Sequence, residues 1–407
     1  MPPVGGGDDC TEHDSPQASG HHGCPEDVPS SSPTLPVIAS VAPEKKKKKK
    51  KQKRNGEQQP ATSLPDDIVI EILSLVRYKS LCRFKCVSKQ WLDLCSGLDT
   101  HKRSPQTLSG LYFLDEERQG LSFHDLTRGG PRLVDPDLSF LRRSYESLEV
   151  TQWSSSLLLC MCWKNSYSPR GECDYVVCNP ATEKWTLLPP IECMDQADVE
   201  RYLGFDAVNP SSFVVVAPLT DIYELIGKVA IYSSGTERWT YVESGWASDT
   251  TVGDQDAIFL NGIMHLTTCG SSIVTVDKEG KIWREIRVPH FDAIGLSQGC
   301  LHAWRVDVLN GCQFSLWVLR DYGSENWTLK HTVNVLELFG SHCRKDHESY
   351  MVLAIHPNCN LIFLTDGEMT VSYDTDNRKV NVISSYVDFV GCAPYIPCFT
   401  KWPSDGR

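Results

Sequence analysis

The sequence predicts a disordered N-terminal tail, then a small α-helical module, then an all-β propeller of six blades. Three observations predict it. Residues 1–60 are rich in Pro, Gly, Ser and Gln and poor in large apolar residues. Apolar residues at helical spacing fill 64–95. From about residue 108 to 401, a strand–turn–aromatic unit recurs every 44 to 54 residues. The expected boundaries are 1–60 for the tail, 61–97 for the module, 98–107 for a linker and 108–401 for the propeller.

Bulk composition narrows the class. A chain of 407 residues with 41% hydrophobic and 23% charged residues is that of a soluble globular protein. No apolar run approaches the roughly 20 residues of a membrane span, and the N-terminus lacks a basic-then-apolar signal. Seventeen scattered cysteines are an odd number, expected to be reduced thiols in the cytosol or nucleus. The net charge of −12 divides unevenly: the first 60 residues sum to +1 and the remainder to −13. An acidic folded part is a poor binder of phosphate backbones, so neither nucleic acid nor membrane is an expected partner.

The tail cannot bury enough surface to offset its ordering entropy. It carries Lys45 through Lys51, Lys53 and Arg54, a run of like charges that holds the segment extended. Such a run serves as a nuclear-import signal or simply as a solvated basic tract, and the residues leave both open. The expected location is nucleus, cytoplasm or both.

Order is expected from Ser63. Pro65 suits the first helical position, where its missing N–H costs nothing, and Asp66 and Asp67 complement the helix dipole. Ile68, Val69, Ile72, Leu73, Leu75 and Val76 cover a broad arc, which Ile70 widens, with Asp67, Glu71 and Ser74 opposite. A small core needs a narrower stripe. The width implies two apolar neighbours: the module's own core and a partner. Two further helical patterns follow, one through Leu81, Phe84 and Val87, the other after Ser88, a suitable N-cap, through Trp91, Leu92, Leu94 and Cys95. Three short helices make too small a core to stand alone, which again points to a partner.

Leu64-Pro65-Asp66-Asp67-Ile68, Ile72-Leu73-Ser74, Lys79 through Lys89 and Trp91 together resemble the F-box of plant F-box proteins. The resemblance implies binding to a Skp-type adaptor, and through it to a cullin, with Leu64, Pro65, Ile68, Ile72, Leu81 and Trp91 as the adaptor-contacting positions. One departure stands out. Where the family usually has Leu-Pro after the first helix, this chain has Val76-Arg77. Without the proline, that helix is expected to run on or fray.

Behind the module, the recurrent unit is an apolar strand, a tight polar turn and an aromatic opening the next strand. It reads Cys178-Asn179-Pro180-Ala181-Thr182-Glu183-Lys184-Trp185 and recurs through Tyr232–Trp239, Val276–Trp283 and Asp321–Trp327. Degenerate copies end at Val380 and near Arg132. Successive copies from Arg132 to Val380 lie 53, 54, 44, 44 and 53 residues apart. This is the period of propeller blades. Trp185, Trp239, Trp283 and Trp327 are expected to be largely buried at equivalent blade positions. Asn261-Gly262 between apolar runs signals a type I′ hairpin. Closure of the ring is expected to place Leu111–His124 beside Tyr386–Phe399, since an open ring exposes two sheet edges.

Kelch blades carry a double glycine before their aromatic, and only Gly129-Gly130 is similar. Tyr202 through Asp206, Phe259 through Gly262, Leu316 through Leu319, Trp327 through His331, and His356-Pro357 with Leu361-Ile362-Phe363 instead resemble the F-box-associated domain of plants.

No catalytic residue, cofactor or metal is expected. His265, His302 and His356 fall near strand starts in successive repeats. A metal at the propeller axis would need all three to converge, but the repeat itself generates that spacing, so a hydrogen-bonded capping role is the reading taken. The cysteines show no paired C-x₂-C at zinc spacing. Cys160 and Cys162 alternate on one strand face as small buried residues. Cys10, His13, His21, His22 and Cys24 lie in the low-complexity tail, and Cys343 beside His342 and His347 is an equally weak set. No G-x-S-x-G, Walker or H-E-x-x-H pattern occurs.

The resemblances imply the substrate-recognition subunit of a Skp-cullin-F-box ubiquitin ligase, with the helical module on the adaptor and a target protein on the propeller. The alternative is a propeller-based enzyme or carbohydrate-binding module with an F-box attachment. That reading needs a convergent polar or metal set at the blade ends, and the sequence shows none beyond what the repeat generates.

Overall fold

In a computed structural model of the chain, the described residues are 64–74, 76, 84, 87–96, 108–115, 120–126, 134–165, 173–192, 199–206, 210, 212–220, 226–309, 311–323, 326–340, 350–385 and 390–399. The expected disordered tail with Lys45–Arg54, the linker through residue 107, Leu81, Arg132 and Cys343 lie outside them.

The described chain opens with two helices, α1 (Asp66–Ser74) and α2 (Lys89–Ser96). The remainder forms six antiparallel sheets. The first blade is three-stranded: β1 (Gly110–Asp115), β2 (Gly120–Asp125) and, from the far end of the chain, β23 (Val390–Tyr395). The second holds β3 (Ser147–Ser154), β4 (Leu157–Trp163), β5 (Cys173–Asn179) and β6 (Lys184–Leu187), after a short helix α3 (Ser139–Arg142). The third holds β7 (Tyr202–Phe205), β8 (Phe213–Thr220), β9 (Ile226–Ser233) and β10 (Arg238–Glu243). The fourth holds β11 (Val252–Leu260), β12 (Ile263–Thr268), β13 (Ser272–Asp277) and β14 (Trp283–Arg287). The fifth holds β15 (Ala293–Ser297), β16 (Cys300–Asp307), β17 (Gln313–Leu319) and β18 (Trp327–Asn334), followed by α4 (Val335–Phe339). The sixth holds β19 (Met351–Ile355), β20 (Leu361–Thr365), β21 (Met369–Asp374) and β22 (Lys379–Ser385). This is the six-bladed propeller expected from the spacing.

The five four-stranded blades are meanders, and tight turns join many of their strands. Asn261 and Gly262 both have positive φ (53° and 81°), which builds the expected type I′ turn between β11 and β12. Gln298 and Gly299 (53° and 71°) do the same between β15 and β16. The recurrent polar turn joins the third strand to the outermost one. There a side chain caps the turn: Asn179 Oδ1 accepts from the Ala181 N–H at 3.0 Å, and Asp374 Oδ1 from Asp376 and Asn377 at 3.0 and 3.1 Å. Glu183, Glu237 and Arg378 then take left-handed φ just before the outermost strand.

Six apolar clusters, one at each junction between blades, make up most of the described core of the propeller. Leu158, Cys160 and Val176 meet Tyr112 and Tyr395 where the second blade joins the first. Leu353 and Phe363 meet Leu111 and Phe113 where the sixth returns to the first. Cys160 and Cys162 are buried free thiols on one face of β4, as the alternation predicts.

The ring closes as expected. β23 pairs with β1 in antiparallel register, Gly110 opposite Tyr395, and is the innermost strand of a blade whose other strands come from the start of the domain. Since all innermost strands run the same way, the ring has an upper rim, where they begin, and a lower rim, where they end. Ser109 and Tyr395 mark the lower rim, their backbones bonded at 2.9 Å.

The four tryptophans occupy equivalent positions near the start of the outermost strands: Trp185 opposite Cys178, Trp239 opposite Tyr232, Trp283 opposite Val276 and Trp327 opposite Leu319. Val380 opposite Tyr373 is the degenerate copy. Each packs on the cluster shared with the preceding blade. All four keep the larger part of their surface buried, though none is wholly enclosed. An outermost strand has one free edge, so the indole covers the junction like a shingle with its rim in solvent. Two indole N–H groups reach the preceding blade, Trp239 to Pro189 O at 2.7 Å and Trp327 to Arg287 O at 3.0 Å. Trp283 lies against Gly245, where a side chain would collide with the indole, and meets Trp246 edge-on at 5.0 Å. A fully buried Trp→Ala change costs about 3–5 kcal/mol. With part of the ring exposed, about 2–3 kcal/mol is expected for each tryptophan and less for Val380→Ala. Urea unfolding of the five single variants measures this, and parent-like midpoints would reject the shingle role.

Candidate functional site

Two surfaces were singled out by the sequence: one on α1 and one among the histidines. On α1, the Pro65 carbonyl accepts the first helical bonds, from Ile68 at 3.0 Å and Val69 at 3.1 Å. Pro65 therefore sits one position before the expected first helical residue, within the usual scatter of helix boundaries. Ser88 caps α2 as expected, its Oγ accepting from the Trp91 N–H at 3.1 Å. Gln90 Nε2 donates to Asp66 Oδ1 at 3.2 Å and ties the two helix starts together.

The wide apolar arc of α1 separates into two faces. Val69 and Leu73, four residues apart, turn inward on Trp91, Leu94 and Cys95, with Leu73 and Cys95 fully buried. Leu64, Ile68 and Ile72, also spaced by four, line the outer face and are 57, 43 and 51% exposed. Pro65 is exposed beside them. Three branched apolar side chains in a row, one helical turn apart, form an apolar ridge that water solvates poorly.

The structure does not place Trp91 on that ridge. Its indole is half-buried in the module's own core, edge-on to Phe84 at 5.5 Å. Helical spacing alone does not separate a core-facing tryptophan from a partner-facing one. Leu81 lies outside the described residues. α1 ends at Ser74 without the missing proline; the Val76 N–H bonds to Leu73 O at 3.1 Å in a closing bend.

One contact gave no signal in the sequence. Phe399, just past β23, packs into the core of the helical module with Leu73 and Cys95. The preceding residues are anchored under the second blade: Ser156 Oγ donates to Ile396 O, and Asn179 Nδ2 to Cys398 O at 2.8 Å. The module is thus fastened at the lower rim.

The histidines do not converge. His265 and His302 hold the same position on β12 and β16, but His356 lies in the β19–β20 turn, which corrects the expected equivalence. Each makes a local bond: His265 Nδ1 to Ile258 O at 3.1 Å, His302 Nδ1 to Cys300 O at 3.0 Å, and His356 Nδ1 accepting from the Asn358 N–H at 3.0 Å. Among the described residues, no group of three or more His, Cys, Asp or Glu is placed to hold a metal. No described helix is long and apolar enough to cross a membrane.

Burial lowers the imidazole pKa to about 4 at His265 and at His302, where the Lys330 ammonium, 3.3 Å from Nε2, acts in the same sense. Burial also lowers His124, His331 and His356. The folded state therefore binds fewer protons than the unfolded chain between pH 6.5 and 4, and stability falls as pH is lowered through that window. The expected loss by pH 5 is on the order of 2 kcal/mol for each of His265 and His302. Urea titrations at pH 7 and 5 measure it, and His302→Asn should shrink the difference.

Residues 62–103 match the F-box domain family. The helical module and its apolar ridge are therefore those of an F-box, carried on a chain with a six-bladed propeller. Relatives agree along most of the length. An F-box protein of Arabidopsis thaliana is 24% identical over 355 residues, covering 79% of this chain and 91% of its own. A putative F-box protein of the same plant is 25% identical, covering 65% of this chain and 52% of its own, so this chain spans about half of that relative. An F-box/kelch-repeat protein of Arabidopsis thaliana is 26% identical, covering 68% of this chain and 70% of its own. The chain is homologous to these F-box proteins.

Proposed function

We propose that the protein is a non-catalytic substrate receptor of a Skp-cullin-F-box ubiquitin ligase. The ridge of Leu64, Ile68 and Ile72, with Pro65 at its head, docks into an apolar groove of a Skp-type adaptor and so reaches the cullin. The propeller, an F-box-associated domain in this reading, holds a target protein. Bringing the two together raises the target's effective concentration at the transfer machinery, which needs no chemistry from this chain. The observation that carries the reading is the ridge itself: three large apolar side chains left outside the described core of the module. A titration of purified adaptor against the full chain and against a chain lacking residues 61–97 tests it. Binding that survives the deletion rejects it.

The protein works in the nucleus, with Lys45–Arg54 as the import signal, or in the cytoplasm. A reporter fused to that segment decides between them by its location.

A further inference from the structure

We propose that a cavity on the upper rim, between the third and fourth blades, seats a lysine or arginine side chain of the target protein. The proposal rests on the receptor reading for what supplies that side chain, and on the geometry below for where it goes.

The lower rim is occupied. Phe399 and the segment before it fasten the helical module there, and the propeller is entered at the same rim through Leu108 and Ser109. An adaptor bound to α1 therefore approaches from the lower side, away from the upper rim.

On that upper rim lies a cavity of about 360 Å³, within the usual range for a recognition pocket. Its wall combines two chemistries. Pro218, Ile226 and Val252 give an apolar lining, the first two buried. Glu200, Thr220 and Thr251 are exposed polar residues at its mouth. Among the described residues, Glu200 is the one charged group in the lining. An apolar wall leading to a carboxylate and hydroxyls matches a long aliphatic stem with a cationic head: the stem packs while the head stays at the wet, acidic mouth. An anionic ligand meets a like charge there. The sequence points the same way, since residues 61–407 carry a net charge of −13, which favours encounter with basic segments.

The test is a selection of displayed random heptapeptides on the full chain, run in parallel on Thr251→Trp and Thr220→Trp proteins, which fill the cavity from opposite walls. Both positions are exposed, and retained melting temperature checks that folding is unchanged. The expected result is enrichment, on the parent alone, of peptides sharing a Lys or Arg at one position. A synthetic peptide from that set should bind at least tenfold more weakly to Glu200→Gln and lose affinity between 0.1 and 0.5 M salt. Enrichment without a basic residue, equal enrichment on the filled proteins, or none at all overturns the proposal. Adaptor titration on the same preparations separates the two readings. Loss of adaptor binding with peptide binding intact rejects the ligase role and leaves the cavity's chemistry standing.

Discussion

Replacing Leu64 and Pro65 together by alanine is expected to remove adaptor binding while leaving the protein folded. The two residues head the exposed ridge and contribute nothing to the buried pair Leu73 and Cys95. Central apolar anchors in a helix-against-groove interface are worth about 2 kcal/mol or more each, so affinity should fall at least about thirtyfold. Ile68→Ala with Ile72→Ala should act in the same direction. Pro65→Ala leaves the helix start intact, because its role there is played by a backbone carbonyl that alanine also has. Glu71→Gln, exposed on the same helix, should change affinity less than about twofold, as for most surface substitutions. Val76→Leu with Arg77→Pro, which restores the family pattern, is expected to tighten binding. Calorimetric titration of purified adaptor reads all of these, and equal affinity of the Leu64/Pro65 variant and the parent would sink the receptor reading.

Ending the chain before Val390 should leave the propeller unable to fold. The deletion removes the innermost strand of the first blade, and with it Ala393, Tyr395, Ile396 and Cys398, all buried. Tyr395 alone, packed edge-on to Tyr112 at 5.0 Å and Phe123 at 5.8 Å, is worth about 3–5 kcal/mol. Ser156 and Asn179 also lose their carbonyl partners, and the inner edge of β1 is left unpaired. The sum exceeds the roughly 5–15 kcal/mol that hold a typical domain together. The truncated protein should lose its cooperative thermal transition and bind hydrophobic dyes. A truncated chain that melts at the parent's temperature would show that closure contributes little.

Much of this was legible in the residues. The split of α1 into an inward pair, Val69 and Leu73, and an outward row, Leu64, Ile68 and Ile72, follows from helical geometry once the arc is seen to be too wide for one neighbour. The blades were legible because a tryptophan must recur wherever one outer strand shingles over the next junction. What the pattern lacked was depth. Trp185 and its equivalents are largely buried, as an apolar indole should be, but the pattern did not show that an edge strand leaves one rim of the ring in solvent. Trp91 was given to the partner because spacing does not tell inside from outside on a two-sided helix. His356 was grouped with His265 and His302 because its sequence distance fits, while it falls among the five residues between β19 and β20, outside the strand register. Phe399 and the cavity were invisible for one reason: each is assembled from segments far apart in the chain, and no local period reports such a meeting.

The anchoring of Phe399 in the helical module has a consequence for how the protein is made. Translation delivers Leu64–Ser74 more than three hundred residues before Phe399. Until the last strand arrives, the emerging chain holds the ridge without a finished module behind it and five blades without a sixth neighbour. The residue that completes the module's core and the strand that completes the ring are released together, within ten positions of one another. A chain cut short by a premature stop therefore lacks both. Such a product exposes unfinished apolar surface in both units at once, which marks it for proteolysis.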